Sequence, residues 1–167
     1  MKFLKPEIFY SADDSNEITQ LSNKADFKYD NYLENNAEHL DKRLFNCYSK
    51  NDRFHDAEIL EITYAGNCEN SKNCKDSLKL KLLICEKIIE IEFKNVTQIN
   101  VTDLQESELC LYRLPYSYDS ILLFELGFVQ DQHEINFIVA SGKEIHIRYK
   151  STKINKILLK SVAHEED

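Results

Sequence analysis

From residue 58 to residue 159 apolar and polar side chains alternate run after run. A period of two over so long a stretch predicts antiparallel strands with one buried face. The first run puts Leu60, Ile62 and Tyr64 on one face and Glu61 and Thr63 on the other, and Ala65-Gly66 ends it. Polar residues 67–77 read as a long hairpin loop. Leu78, Leu80, Leu82 and Ile84 follow with Lys79 and Lys81 outward, and then Ile89, Ile91 and Phe93 alternate with Glu90, Glu92 and Lys94. Opposite charges on those neighbouring polar faces suit a cross-strand ladder. A shorter strand over 96–101 precedes Thr102-Asp103-Leu104-Gln105-Glu106, a capping-box pattern expected to open one helical turn before Leu109 and Leu111 resume extended structure. Leu122, Phe124, Leu126 and Phe128 form the most apolar face, with Gly127 inside it as a bulge or close-packing site. Asp131-Gln132 predicts a turn into Ile135, Phe137 and Val139, and Ser141-Gly142 a tight turn into Ile145, Ile147 and Tyr149. A last strand over 154–159 reads as an edge, where Lys156 and Lys160 discourage further pairing.

The first third has a different period. Tyr29, Leu33, Ala37, Leu40, Leu44 and Tyr48 recur at three- and four-residue spacing and predict one helix over 27–48. A shorter helix is expected over 16–23, with Asp13, Asp14 and Ser15 offering capping oxygens. The expected fold is therefore α+β: N-terminal helices packed on a curled, largely antiparallel sheet of about eight strands. It reads as one domain, with a helical region over 1–53, a β region over 54–160 and a tail over 161–167.

Composition narrows the function class. The 167 residues are 43% hydrophobic and 11% aromatic, with three glycines and two prolines, which suits a packed interior. A formal charge of −8 argues against nucleic acid as a partner, because phosphate binding needs a cationic face. No apolar run reaches signal-peptide or membrane-spanning length, so the expectation is a cytoplasmic chain that avoids membranes. Cys47, Cys68, Cys74, Cys85 and Cys110 lack a framework spacing, and Cys85 and Cys110 fall in strand-like runs; reduced thiols are expected. Charge is also uneven. Seven acids against Arg113 alone give −6 over 103–134, while six bases against Glu144 alone give +5 over 143–160. Complementary cross-strand pairing is the preferred reading, and a negative docking patch the alternative.

Candidate chemistry is sparse. His55-Asp56 could pair an imidazole with an orienting carboxylate. A helix-to-strand junction, in which Asp56 caps amides and His55 bonds a carbonyl, accounts for the same letters. Cys68 and Cys74, spaced C-x5-C, have no second ligand pair for zinc. His133 and His146 flank the final hairpin, with His146 sharing a face with Glu144 and Arg148 but with no nucleophile beside them. No catalytic, cofactor or metal residue is assigned. The strongest interface pattern is Tyr112, Tyr116 and Tyr118 around Pro115, flanked by Glu108 and Asp119, since tyrosine anchors bury large rings and acidic neighbours speed encounter with a basic partner.

The run Phe54-His55-Asp56-Ala57-Glu58-Ile59, with the segment over 134–147, resembles a β-rich domain of small uncharacterised bacterial proteins that opens on Phe or Leu, His and Asp and closes on a hairpin. The likeness spans about 54–159. Similar small acidic proteins act as immunity partners of secreted toxins, so the resemblance implies a non-catalytic inhibitor whose Tyr-bearing acidic surface meets a cationic toxin domain. The competing expectation is a small-molecule binder or minor enzyme, with His55, Asp56 and His146 converging on the concave sheet face. A homodimer through an edge strand is a third.

Overall fold

The computed structural model describes residues 1–5, 16–66, 76–103 and 119–158. Among them, helices α1 (Asn16–Asn35) and α2 (Lys42–Ser49) lead through a short turn (Asp52–Phe54) to eight strands. These are β1 (Glu58–Ala65), β2 (Ser77–Ile84), β3 (Lys87–Lys94), β4 (Gln98–Asp103), β5 (Asp119–Val129), β6 (Gln132–Val139), β7 (Lys143–Tyr149) and β8 (Ser151–Leu158). Every pairing is antiparallel, and the strand order is β4-β7-β6-β5-β1-β2-β3-β8. The class is α+β, as the two periods in the sequence predict.

The helical region divides differently from expectation. α1 runs unbroken through the gap between the two expected helices, and the break falls at 36–41 instead. There the Asp41 carboxylate accepts from the amides of Arg43 (3.0 Å) and Leu44 (3.2 Å), capping α2. Its other oxygen accepts from the Thr152 hydroxyl at 2.9 Å, so the cap also ties α2 to β8. Four-residue spacing hid the break, because Leu40 lies in the turn yet is buried with Tyr29, Leu33, Leu44 and Tyr48; Ala37 is exposed. The capping candidates Asp13, Asp14 and Ser15 lie outside the described residues.

Asp52, Arg53 and Phe54 form one left-handed turn, with φ of 46°, 56° and 61°, and Asp56 follows at 59°. Left-handed backbone costs a non-glycine residue about 1–2 kcal/mol. Side-chain burial offsets it. Phe54 is fully buried, edge-on to Tyr48 and Phe124, while Arg53 bonds Asp30 at 2.7 Å. The turn re-aims the chain so that Asp56 N bonds Ile121 O and Ile121 N bonds Ala57 O, both at 2.9 Å, starting β1 beside β5.

β3 passes into β4 and β7 into β8, so the β3–β8 and β4–β7 ladders form one ribbon whose register slips by a residue between Lys94↔Ser151 and Gln98↔Arg148. Asn95, at φ 52°, makes the bend, and Thr97 N→Arg148 O and Lys150 N→Lys94 O bridge it. Some boundaries move. Cys85 lies not in a strand but in the β2–β3 turn at φ 53°, and Thr102 and Asp103 extend β4 instead of capping a helix. The β5–β6 turn is Gln130-Asp131, both left-handed, one residue earlier than expected. Gly127 is a close-packing site: a Cβ there would come within 2.7 Å of Glu134 Cγ, and the β5 irregularity sits at Ile121/Leu123.

One hydrophobic cluster joins helices and sheet, from Leu33, Leu44 and Phe54 to Leu80, Ile91, Phe137 and Ile147. Its seam lies along β5. Counting from the two-residue turn at Gln130-Asp131, the backbone groups of Phe124, Leu126 and Phe128 point away from β6. β1 pairs with β5 only at Glu58↔Ser120 and Ile59↔Asp119, so it does not reach them. Helical tyrosines do. The Tyr29 hydroxyl accepts from Leu126 N (2.6 Å), that of Tyr32 accepts from Phe128 N (3.2 Å), and that of Tyr48 donates to Phe124 O (3.2 Å). Tyr29 and Tyr48 lie close enough to influence each other electrostatically, and burial raises the pKa of both phenols, keeping them protonated.

Candidate functional site

β1 pairs β2 along its whole length, yet beyond Ile59 no described strand lies on its other side. Among the described residues its far half is an open edge. Ile62 and Tyr64 sit opposite Leu80 and Leu78, which are fully or almost fully buried, but are themselves 44% and 51% exposed. The core cover therefore ends at β2. Leu60, 40% exposed, falls at the β-bulge between Ile59 and Glu61, so Ile59 and not Leu60 shares the register of Ile62 and Tyr64.

Neighbours fix the shape of this row. The Tyr64 ring lies across Gly66, where a Cβ would collide with it, and the neighbouring Asp76 carboxylate raises the pKa of its hydroxyl. Glu61 binds Lys81 at 2.7 Å and accepts from the Thr63 hydroxyl, and these bonds lower its pKa. An aromatic anchor and two aliphatic side chains are thus presented on a strand whose outer backbone groups have no partner among the described residues. Large exposed apolar residues in a row mark interaction surfaces more often than single ones do.

Of the sequence-derived interface residues, Glu108, Tyr112, Tyr116 and Tyr118 lie outside the described residues. Asp119 opens β5 opposite Ile59, at the start of the apolar row. Its carboxylate accepts from Ser141 N (2.9 Å) and Ser141 Oγ (2.7 Å), so it fastens the β6–β7 turn. Other acids of the 103–134 stretch are also engaged with partners in the chain. Asp103 pairs with Lys143 at 2.6 Å, and Glu134 meets His146 (3.2 Å) and Arg148 (3.3 Å), which together lower its pKa. Glu125, 4% exposed, accepts the amides of Lys2, Phe3 and Leu4, while the terminal ammonium pairs with Glu144. Cross-strand complementarity is what these pairs show.

His55 and Asp56 bind each other at 3.0 Å, both well exposed, because the left-handed turn brings adjacent side chains to one side. His55, Arg53, Asp26, Tyr48 and Phe124 line an open cleft of about 390 Å³. Asp56 and His146 do not line it, and His146 is engaged with Glu134 instead, so the expected trio is not assembled there. Burial raises the pKa of Asp26 against the opposing effect of Arg53. Among the described residues no three His, Cys, Asp or Glu side chains are grouped to hold a metal; Cys68, Cys74 and Cys110 lie outside them. No helix among them is long and apolar enough to cross a membrane.

The sequence pattern singled out none of Leu60, Ile62 and Tyr64 as surface, since alternation looks alike on a covered and an uncovered strand. The signal in retrospect is their company: Glu61, Thr63, Glu58 and Gly66 give β1 a more polar context than Leu78–Ile84. No protein-family model and no curated protein matches the chain.

Proposed function

We propose that this chain is a non-catalytic protein-binding module, an immunity-type inhibitor of a bacterial toxin acting in the cytoplasm, which docks a cationic toxin domain on the open side of β1. The observation that carries the reading is the exposed pair Ile62 and Tyr64, with Leu60 exposed at the bulge beside them, on a strand whose flank is unpaired among the described residues. Apolar contact supplies most of the contact energy in such an interface, with Tyr64 as the central anchor. The chain's −8 charge favours encounter with a basic partner and keeps nucleic acid away. Acidic contact plays the smaller part here, because Asp103, Asp119, Glu125 and Glu134 are engaged within the chain. The tyrosine-bearing segment that ends at Tyr118 joins the sheet at Asp119, next to this row, which supports a role for Glu108, Tyr112, Tyr116 and Tyr118 at the same face. The curl expected of the sheet belongs to the same proposal, and the β3–β4/β7–β8 ribbon supports it, since its two halves form opposite ends of the strand order.

The test is capture of the co-expressed product of the neighbouring gene by wild type and by an I62K/Y64K variant with matched circular dichroism. Retention by wild type and loss from the variant is expected. Equal retention, or no capture by either, contradicts the reading, and a wild-type dimer that the variant abolishes assigns the row to a second copy. A second reading, a small-molecule site, is favoured by the cleft beside His55.

A further inference from the structure

On the opposite flank of β2 and β3 the charge reverses. Arg43 and Lys50 on α2 and Lys153 and Lys156 on β8 border a groove of about 410 Å³ between that helix and that strand, floored by Cys47 and Ile154. Positions 43, 46, 47 and 50 recur at helical spacing, which turns one face of α2 to the groove. All four cations are exposed, and among the described residues none makes an ion pair. Lys153 lies opposite Glu92 across the ladder without bonding it, and Glu90 is taken by Asn155 at 3.1 Å. Among the described residues no carboxylate lines the groove. Four unpaired cations around one concavity are out of keeping with a chain of net charge −8.

The groove also has a backbone wall. β8 is the terminal strand of the sheet. Counting from the two-residue turn at Cys85-Glu86, the backbone groups of Ile88, Glu90 and Glu92 face β8, so those of Thr152, Ile154, Lys156 and Leu158 point outward. Arg43 confirms the direction by donating to Thr152 O at 3.3 Å. The outward N–H and C=O groups at Ile154 and Lys156 have no partner among the described residues. Side chains alternate along β8, so Lys153 lies on one face of the edge and Lys156 on the other. An occupant paired along the edge has a cation on each side.

We propose that this groove binds an extended acidic peptide segment, which adds a strand to β8 through Ile154 and Lys156 while its carboxylates meet Arg43, Lys50, Lys153 and Lys156. Strand addition lets main-chain bonds supply affinity and alternate side chains supply specificity. The backbone wall distinguishes a peptide from a nucleic acid, which has no matching donors and acceptors at that spacing, and a long polyanion is repelled by the rest of the chain. The proposal does not rest on the β1 row, from which β8 is separated by β2 and β3.

The experiment is fluorescence anisotropy with a labelled octapeptide of alternating Glu and Val, against its Gln/Val counterpart, its form N-methylated at alternate residues, and octa-uridine. Wild type is expected to bind the Glu/Val peptide, to lose affinity as salt rises, and to bind the three controls at least about tenfold more weakly. K153E/K156E is expected to bind at least about tenfold more weakly, and K50Q, which leaves the strand untouched, a few-fold more weakly. Failure of the Glu/Val peptide to bind at millimolar concentration overturns the proposal. So does equal binding by the charge-reversed variant with unchanged melting temperature, by the Gln/Val or N-methylated peptide, or by octa-uridine.

Discussion

Replacing Tyr29 with Phe removes one oxygen from a fully buried ring and leaves its packing against Phe3 and Tyr32 in place. That oxygen accepts from the Leu126 N–H beside the Tyr48 hydroxyl, which itself donates to Phe124 O. In the variant the buried Leu126 amide has no acceptor. An unsatisfied buried amide costs about 1–3 kcal/mol. A loss of about 2 kcal/mol lowers Tm by about 4–8 °C in a chain of this size. Urea unfolding followed by circular dichroism reads the free energy, and hydrogen exchange at the Leu126 amide reads the site, with faster exchange in Y29F. Because the two buried phenols influence each other, Y29F/Y48F is expected to lose less than the sum of the single variants. A Y29F protein within about 0.3 kcal/mol of wild type, with Leu126 still protected, would refute the claim that the helical tyrosines stand in for a missing strand at β5.

Substituting Glu125 with Gln leaves a neutral acceptor facing three backbone amides and is expected to cost about 2–3 kcal/mol, with loss of protection at Phe3 and Leu4 by hydrogen-exchange NMR. Glu134 has a pKa lowered first by its bond to His146 and then by Arg148, so its stabilising contribution is full above the ordinary carboxylate pKa and is lost as pH falls through the lowered one. Wild type should therefore lose more stability than E134Q on acidification from pH 6 to pH 3, and parallel curves would contradict this. His133, with a buried Nδ1 that has no hydrogen-bond partner, has a pKa lowered chiefly by burial, so folding disfavours its protonation and stability falls as pH drops below the ordinary imidazole pKa. H133F should flatten that part of the profile between pH 7 and pH 5. G127A forces the Glu134 side chain aside and is expected to lower stability despite alanine's better strand propensity, and E134A should relieve the G127A defect.

Strand count and order of elements were legible because every strand pairs Leu, Ile or Phe against a polar partner at period two. The helix break at 36–41 was not, since Leu40 keeps the four-residue spacing while belonging to a turn. The left-handed turn at Asp52–Phe54 carries no glycine or asparagine to announce it; it is held by the Phe54 ring and the Arg53–Asp30 bond, both long-range effects. Exposure of Ile62 and Tyr64 depends on where the helices stop, which no local pattern encodes. The acids of 103–134 looked like a patch in the sequence, yet folding sets Asp103 and Glu134 beside Lys143 and Arg148, from strands 14 or more residues away.

The central claim is that the uncovered row on β1 is a docking surface for a protein. Its most direct measurement is isothermal titration of wild type and I62K/Y64K with the purified partner recovered by co-expression. Tight binding by wild type and affinity at least about a hundredfold lower in an equally stable variant is the predicted result, given the weight of central aromatic anchors. Equal affinity of the two proteins contradicts it.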